Sequence, residues 1–283
     1  MSLPRISAVI MAWSPRMLPY LELCLRSLRG SDYPAHLIET VVVAPSSYAS
    51  QLELWDTDVR IVTPPAGEQF TAAQGYNYGY SVTSPDSRYI LTLNDDVALT
   101  EGALRQLVTT AESLDNKLSL TNGISPCDRG VTSILDFPVR VGDCEYLYDQ
   151  QYARLEHVAA ILPELLKAKS AYPPGLIVSH YLCMYATLIS RALYEKVGGI
   201  DEKFENGPDD IDYCWRAQAE GGVCIMDLHA IIWHFGEVTK EACGTQDTKR
   251  WLKNMDYFSR KWGRLPPGVT ANRYNFTLEN LRS

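Results

Sequence analysis

The sequence has no long apolar run, no CxxC pair and no internal repeat. Its longest uninterrupted apolar runs, at 8–13 and 181–186, are six residues each, far short of the ~20 that a membrane-spanning helix needs. Seven cysteines are an odd number, and without a CxxC pair they disfavour a disulfide framework or a zinc ribbon. No signal-peptide pattern precedes the first strand-like segment. We therefore predict reduced thiols and a cytoplasmic location.

Positive charge and phosphate-binding glycine motifs are also scarce. Lys plus Arg number 26 against 34 Asp plus Glu, a net charge of −8, so we predict no nucleic-acid partner. No G-x-G-x-x-G follows the first apolar segment, which disfavours a dehydrogenase. What is present, 46% apolar and 21% charged residues in a chain of 283, is typical of a globular protein with a large core.

Strand and helix patterns alternate through the first 121 residues. Hydrophobic, β-branched runs predict strands at residues 5–12, 39–44, 59–62 and 88–93. The segments between them have helical spacing, and Thr100 is a candidate N-cap for the last of these helices. Hydrophobic strands that alternate with helices predict an α/β fold whose mainly parallel sheet is covered on both faces.

The rest of the chain divides into an irregular and a regular part. Residues 122–175 contain loop signals and a helical stretch at 145–168, and we interpret them as an insertion in the same domain because no linker-like tract separates them. Regular structure resumes at 176–189 and continues to 263, with strands predicted at 223–227 and 230–233 and helices after Ser190 and at 208–219. A tail of residues 264–283 follows.

Three polar residues, Asn94, Asp95 and Asp96, directly follow a predicted strand. Because two of them are aspartates, we call the segment the acidic triplet. In doubly wound sheets, ligands bind beyond the carboxyl ends of the strands. Carboxylates at such a position suit Mg²⁺ or Mn²⁺, which keep coordination sites for the phosphates of a substrate. Asn and Asp are also good turn formers, so the triplet alone leaves a simple turn open.

A second acidic cluster, Asp209, Asp210 and Asp212, opens the helix predicted at 208–219. Carboxylates in a first turn complement the helix dipole, and Asp212 is spaced to pair with Arg216. Asp209 and Asp210 then remain as candidate general bases.

Two histidines, His229 and His234, flank the last predicted strand. Either could be a buried, hydrogen-bonded residue or a metal ligand. His234 is the stronger candidate ligand because it lies at the carboxyl end of the strand.

In order and spacing, these segments resemble the inverting, nucleotide-sugar-dependent glycosyltransferases of family 2, which have the GT-A fold. The resemblance covers roughly residues 5–121 and 176–263. It rests on the segments RYILTLNDDV, TAAQGYNYGY and DDIDYCWR. The closing segment NMDYFSRKWG is similar to the rhamnosyltransferase-like branch.

The resemblance implies a role for each acidic cluster and for one histidine. Asp96 would coordinate Mg²⁺ or Mn²⁺ at the diphosphate of the donor, with Asn94 and Asp95 contributing to donor binding. His234 would be an auxiliary metal or diphosphate ligand. Asp210 would be the general base and Asp209 its helper or alternate. Residues 1–121 would form the donor-binding half, 176–263 the acceptor and catalytic half, and 122–175 an acceptor-side element.

The resemblance implies fewer specific residues for contacts with the base of the donor nucleotide than for the metal and the general base. Ala44 stands where many relatives have an Asp, with Ser46 nearby, and Asn77 belongs to the Asn-x-Gly end of the helix before the triplet. Trp13 either stacks on the base or packs in the core. Six tyrosines between 144 and 185 could shape an acceptor pocket.

The final predicted helix has an apolar stripe of Trp251, Met255, Phe258 and Trp262. Such a stripe is typical of core packing, or of a docking face for a partner or a membrane surface, so peripheral membrane association stays open. The sequence does not fix the oligomeric state.

We therefore predict a metal-dependent inverting glycosyltransferase that uses a nucleoside-diphosphate sugar donor and a glycan or glycoconjugate acceptor. Two alternatives remain. A nucleotidyltransferase acting on sugar phosphates also uses carboxylates at strand ends, but normally has a basic or Gly-rich phosphate loop. A non-catalytic module that binds sugar nucleotides or glycans is consistent with the altered base contacts.

Overall fold

A computed structural model of the chain describes residues 2–53, 59–114, 118–124, 139–141, 144–146, 167, 169–170, 175–205, 207–235 and 248–266. Its strands are β1 Ile6–Met11, β2 Ile38–Val43, β3 Arg60–Val62, β4 Tyr89–Asn94, β5 Val97–Leu99, β6 Ser119–Ile124, β7 Val139–Val141, β8 Cys144–Tyr146, β9 Lys169–Ser170, β10 Leu176–Val178, β11 Ala186–Ser190 and β12 Val223–His234. Its α-helices are α1 Leu18–Arg29, α2 Ser46–Glu53, α3 Ala72–Ser81, α4 Ala103–Ser113, α5 Arg191–Val197, α6 Asp209–Ala219 and α7 Thr248–Trp262.

A nine-stranded sheet in the described part of the chain organises the fold. Its order is β10-β12-β6-β11-β4-β1-β2-β3, and β5 pairs with the end of β12. Strands β4, β1, β2 and β3 run parallel, as do β6 and β12. Strand β11 is antiparallel to both β4 and β6. A separate small sheet contains β8, β7 and β9.

The sheet is covered by helices on both faces, as the alternation of strands and helices predicts. Along β1, Ala8 and Ile10 face one hydrophobic cluster while Val9 and Met11 face the other, because successive side chains of a strand point to opposite faces. Helices α1, α2 and α4 pack on the first face and α3, α5 and α6 on the second. The predicted α/β fold class is confirmed.

Helix α7 packs on helix α6 through a third, aromatic cluster. Phe258 is fully buried there beside Trp215 and Phe204, and the rings of Trp215 and Trp262 meet edge to face at 5.2 Å. The predicted stripe of α7 therefore includes core residues, and its docking to a partner or a membrane stays a prediction. No helix within the described ranges combines the length and apolar character that crossing a bilayer requires.

Several details differ from the sequence-based expectation. Strand β6, in the middle of the sheet, begins before the predicted insertion, and the sequence pattern does not predict it. The two strands predicted at 223–227 and 230–233 form one strand, β12, whose register with β6 shifts between Asp227 and Ile231. Helix α4 begins after Gly102, and the Thr100 hydroxyl donates to the Ile231 carbonyl at 2.9 Å instead of capping it.

The predicted insertion lies mostly outside the described residues. Of the helix predicted at 145–168, only the first residues and Lys167 are described, and Glu145 and Tyr146 belong to strand β8 rather than to a helix. The division into two halves, an insertion and a tail remains a prediction.

Candidate active site

The acidic triplet lies where strand β4 ends and the chain turns into β5. Asn94 is the last residue of β4, and Asp95 and Asp96 form the turn before Val97. The two aspartates are only 2% and 3% exposed. A simple surface turn does not account for this burial, because carboxylates in such a turn would keep their contact with water.

Asp95 is held against the segment that follows β1. Burial raises the pKa of its carboxyl well above the ordinary value, the nearby charge of Asp96 raises it further, and backbone hydrogen bonds from Asp95 itself and from Trp13 partly oppose both effects. The Oδ2 atom of Asp95 is buried and accepts no hydrogen bond within the described residues. The turn is thus fixed in place through its first aspartate.

His234 lies beside Asp96 because strands β12 and β5 pair in antiparallel fashion. The register sets His234 opposite Val97, and the Phe235 N–H donates to the Asp96 carbonyl at 2.9 Å. The two side chains then meet, with Nε2 of His234 3.4 Å from Oδ1 of Asp96. The two residues predicted as metal ligands therefore lie side by side at one edge of the sheet.

The atoms at this position fit a divalent cation that also binds a substrate. Asp96 Oδ1 is buried and accepts no hydrogen bond in the described part of the chain, which is costly for a carboxylate oxygen that has no cation nearby. Among the described residues, no group of three His, Cys, Asp or Glu side chains could hold a metal on its own. Mg²⁺ is commonly bound by one or two carboxylates together with substrate phosphates, so Asp96 and His234 are a sufficient protein contribution.

Two tyrosines surround the Asn94 and His234 side chains. The Tyr76 hydroxyl, on helix α3, lies 2.9 Å from both the Leu93 carbonyl and Oδ1 of Asn94. The Asn94 amide nitrogen in turn lies 3.3 Å from Nε2 of His234. The ring of Tyr185 stacks on that of His234, with centroids 4.6 Å apart and planes at 11°.

Residues predicted to contact the donor base lie after β1 and β2. Trp13 is half-buried and stacks on Phe70, with ring centroids 5.1 Å apart. Ser46 is exposed at the start of α2. Next to it, the Glu68 carboxylate accepts from the Ser47 N–H at 2.7 Å and from the Ser47 hydroxyl at 2.8 Å. Glu68 is thus bonded to the first turn of α2, next to the predicted Ser46.

The Asn77 side chain forms a bridge within the fold. Its Oδ1 accepts from the Ile200 N–H at 2.7 Å, and its Nδ2 donates to the Ile200 carbonyl at 2.8 Å and to Glu202 at 2.9 Å. These bonds join helix α3 to the turn before helix α6. The predicted role of Asn77 in donor binding stays a prediction, and this bridge is a second role for the same amide.

The second acidic cluster begins helix α6. Burial raises the pKa of Asp209, while the N–H of Gly207, which donates to Oδ1 of Asp209 at 2.5 Å, opposes this. Asp210 is half-buried and accepts from the Ile211 N–H at 2.7 Å. The predicted pair of Asp212 and Arg216 is confirmed, with Nε and Oδ2 2.8 Å apart.

Helix α3 contacts both predicted parts of the site. Tyr76 reaches the acidic turn, Asn77 reaches the turn before α6, and the charge of Asp209 is close enough to contribute to the raised pKa of Tyr80, which is caused mainly by burial.

Sequence reasoning did not single out Tyr76, Tyr185 or Glu68 as site residues. Tyr185 belongs to the tyrosine-rich region, and Tyr76 to the segment TAAQGYNYGY, but nothing in their spacing identifies a partner. The other histidine, His229, is exposed beside Asp227 in the irregular part of β12, away from the acidic turn. Tyr148, Tyr152 and Tyr172, which belong to the predicted acceptor pocket, lie outside the described residues.

Comparison with known proteins gives one curated relative at low identity. No known family profile matches the chain. Over 183 residues it is 23% identical to the low-salt glycan biosynthesis hexosyltransferase Agl10 of Haloferax volcanii, covering 63% of this chain and 53% of the relative. The chain thus spans about half of the length of that relative.

Solved structures share the fold over most of the chain. The mannosyltransferase PcManGT from Pyrobaculum calidifontis, in complex with GDP-Man and Mn²⁺, matches with a TM-score of 0.59 and 14% identity, over 94% of this chain and 67% of its own. GalNAc-T7 with UDP, GalNAc and Mn²⁺ matches with a TM-score of 0.57 and 12% identity, over 82% and 43%. TarS 1-349 of S. aureus matches at 0.55 and 10%, over 98% and 76%. The predicted GT-A fold is confirmed.

Proposed function

We propose that this chain is a glycosyltransferase that moves a sugar from a nucleoside-diphosphate donor to a hydroxyl of a glycan or glycoconjugate, with inversion at the anomeric carbon. The observation that carries the proposal is the contact between buried Asp96, just after β4, and half-buried His234, the last residue of β12, with an Asp96 oxygen that accepts no hydrogen bond within the described residues. The similarity to a hexosyltransferase and to three glycosyltransferase structures supports it.

Asp96 and His234 would hold Mg²⁺ or Mn²⁺ at the donor diphosphate. When bound there, the cation supplies positive charge beside the departing nucleoside diphosphate. Asp95 links the turn to the segment after β1 through a hydrogen bond from the main chain of Trp13. The donor nucleoside would be surrounded by the stacked rings of Trp13 and Phe70 and by the side chains of Ser46 and Asn77.

Asp210 would act on the acceptor. Its carboxylate takes the proton of the acceptor hydroxyl while that oxygen attacks the anomeric carbon, and the bond from this carbon to the diphosphate oxygen breaks with its electron pair leaving on the diphosphate. A single displacement inverts the configuration, without a covalent sugar–enzyme intermediate. Asp209, whose pKa burial raises, is the alternate proton acceptor.

Three variants test this assignment. We expect Asp210→Asn to lower turnover at least about a hundredfold, the lower range for a lost general base, and Asp96→Ala to lower it at least about as much, because charge stabilisation by a metal is worth several kcal/mol. Asp86→Ala, which changes an exposed carboxylate in the turn before β4, is the matched control and should retain full turnover. Full turnover by both site variants would contradict the mechanism.

Product analysis separates this function from the alternatives. Release of a nucleoside diphosphate and an inverted anomeric proton coupling in the product would support the proposal. Release of pyrophosphate would indicate a nucleotidyltransferase. Binding of the donor with Mn²⁺, but no transfer to any acceptor and no hydrolysis, would indicate a non-catalytic module.

A further inference from the structure

We propose that the end of helix α7 positions the proposed general base: Lys261 and Trp262 hold the buried carboxylate of Asp212 and thereby fix the first turn of helix α6, which includes Asp210. This inference rests on the proposed function, in which Asp210 takes the proton of the acceptor hydroxyl. Lys261 and Trp262 touch no substrate in this assignment and act through Asp212.

The carboxylate of Asp212 is held from two helices. The residue is fully buried, and a charge in such a position is costly unless cations and hydrogen-bond donors surround it. Its Oδ2 lies 2.8 Å from Nε of Arg216, in the same helix. Its Oδ1 lies 2.7 Å from Nζ of Lys261 and accepts from the Trp262 indole N–H at 2.8 Å. These two partners of Oδ1 both belong to α7.

Asp210 and Asp212 point to opposite sides of helix α6. Residues two apart in an α-helix lie roughly 160° apart around its axis. Asp212 is on the side that α7 covers, where the ring of Trp215 packs against that of Trp262. Asp210 is therefore directed away from α7, and the contacts of Asp212 hold the helix from behind.

The side of α6 that includes Asp210 faces the segment leading to the proposed metal site. A hydrogen bond with Cys224 and burial raise the pKa of the Cys214 thiol, and the charge of Asp210, one turn away on the same side, raises it further. The Sγ atom of Cys214 accepts from the Leu182 N–H at 3.3 Å. This segment continues to Tyr185, whose ring stacks on the imidazole of the proposed metal site.

The end of α7 is itself held in place, as a positioning element requires. Lys261 also lies 2.6 Å from Oδ2 of Asp201, which accepts from the Tyr257 hydroxyl at 2.8 Å. The ring of Trp262 meets that of Trp215 edge to face at 5.2 Å. The lysine and tryptophan side chains therefore approach α6 from a helix end that other contacts fix.

The first test compares turnover with nucleotide binding in Lys261→Met, which removes the cation from Oδ1 of Asp212. Because a misplacement of about 1 Å at a reacting group can cost about a hundredfold in rate, we expect kcat to fall at least about tenfold with the UDP- or GDP-sugar on which the wild type is active. Binding of UDP or GDP with Mn²⁺, measured by calorimetry, should stay within about twofold of the wild type, because Lys261 contacts neither β4 nor the end of β12.

The same helix offers a matched control. Arg260 directly precedes Lys261, and its guanidinium pairs with Asp256 of α7 at 2.5 Å. Arg260→Met therefore removes one cation and one ion pair from α7 and leaves the contacts with α6 in place, so kcat should stay unchanged. A partly unfolded variant would lose nucleotide-binding sites and turnover together, so kcat is expressed per binding site.

A conservative second variant, Trp262→Phe, tests the path through Asp212. It keeps an aromatic ring against Trp215 and removes the N–H that donates to Asp212. We expect kcat to fall, but by less than in Lys261→Met. Wild-type kcat in both variants would overturn the inference, as would an equal fall in Arg260→Met.

Hydrogen exchange provides a readout that needs no substrate. The Ile211 N–H donates to Oδ1 of Asp210 at 2.7 Å. The Asp212 N–H donates to the Pro208 carbonyl at 3.1 Å. We expect both amides to exchange faster in Lys261→Met, because local opening then needs less free energy, while the amides of β1 exchange as in the wild type. Unchanged exchange of both amides would overturn the inference.

Asp210→Asn separates this inference from the proposed function. If Asp210→Asn retains full turnover, the proposed general base is wrong and this inference falls with it. If Asp210→Asn loses turnover while Lys261→Met and Trp262→Phe keep wild-type kcat, the inference alone is overturned and the proposed function stands.

Discussion

Asn77 and Asp96 illustrate two opposite states of a polar side chain in this site. Asn77 has partners at both ends of its amide: its Oδ1 accepts from the Ile200 N–H, and its Nδ2 donates to the Ile200 carbonyl and to Glu202. Asp96 is nearly fully buried with an oxygen that accepts no hydrogen bond in the described ranges. A buried side chain whose polar atoms all have hydrogen-bond partners contributes to stability. A buried polar atom without such a partner can instead bind a ligand.

Asn77→Ala tests the bridging role. The substitution leaves the N–H and carbonyl of Ile200, a residue only 4% exposed, without this partner, which should lower the free energy of unfolding by about 1–3 kcal/mol. Urea denaturation measures this loss, and donor KM is measured alongside it. A raised donor KM with unchanged stability would contradict the bridge as the main role of Asn77 and favour the predicted contact with the donor.

For single residues, the sequence predicts where a side chain lies in the sheet better than it predicts which side chain it contacts. Asp96 and His234 could be selected because both follow apolar strands, and the carboxyl ends of strands converge in this type of sheet. Tyr76 could not, because its contact with Asn94 depends on how α3 lies across β4. The pairing of Asp212 with Arg216 was predictable because it lies within one helix turn.

At the scale of elements, helix α3 lies close to the sheet because of Gly79. A Cβ at this position would lie 2.8 Å from Cγ2 of Val43 and would also collide with Val9. The helix begins with a capping box, in which Thr71 and Gln74 each bond to the backbone of the other. This close packing sets the distance from which Tyr76 reaches β4.

Gly79→Ala should therefore separate α3 from the sheet. Overpacking of this kind typically costs about 1–3 kcal/mol, and we expect a matching loss of stability in urea denaturation, together with weaker Mn²⁺ binding. Ser81→Ala, on the exposed side of the same helix, should change stability by less than about 0.5 kcal/mol. If Gly79→Ala is as stable as Ser81→Ala, the packing argument fails.

Helix α7 is attached by charged as well as aromatic contacts. Lys261 lies 2.6 Å from Asp201 and 2.7 Å from Asp212, and the Trp262 indole N–H donates to Asp212 at 2.8 Å. Burial opposes ionisation of Asp201, but hydrogen bonds from Lys261 and Tyr257 outweigh it, so the pKa of Asp201 is lowered. The last described helix is thus linked to the first turn of helix α6 and to the turn before it.

Asp201→Asn should remove a pH-dependent part of this attachment. A lowered pKa in the folded state means that the contribution is fully present above the ordinary Asp pKa of about 3.9 and is lost as the pH falls through the lower folded value. We expect a loss of up to about 1 kcal/mol near neutral pH and no difference from the wild type at acid pH. Denaturation over this pH range measures it, and a loss that does not depend on pH would contradict the charge-based account.

At the scale of the whole molecule, the parallel half of the sheet could be predicted from local pattern and the mixed half could not. Strands β1 to β4 alternate with helices, so their hydrophobic runs suffice to identify them. The pattern of strand β6 does not identify it, because its sequence, SLTNGI, contains polar residues that are buried where the strand pairs with β11 and β12. Tertiary context, rather than local propensity, decides such a strand.

Ligand binding should stabilise the whole molecule only when metal and nucleotide are both present. We expect a nucleoside diphosphate with Mn²⁺, at about a hundredfold excess over Kd, to raise Tm by roughly 5 °C. Either component alone should give a much smaller shift, and Asp96→Ala should give none. A full shift without Mn²⁺ would contradict the shared metal–diphosphate site.

The irregularity in β12 has a consequence for how this chain can tolerate insertions and deletions. Before it, β12 follows the register of β6 and β10; after it, the strand pairs with β5 and ends at His234. A one-residue slip in a regular strand turns every later side chain to the opposite face. An inserted or deleted residue between Asp227 and Ile231 can instead be accommodated by the irregular segment itself. Related chains can therefore differ in length there while the His234 imidazole keeps its orientation.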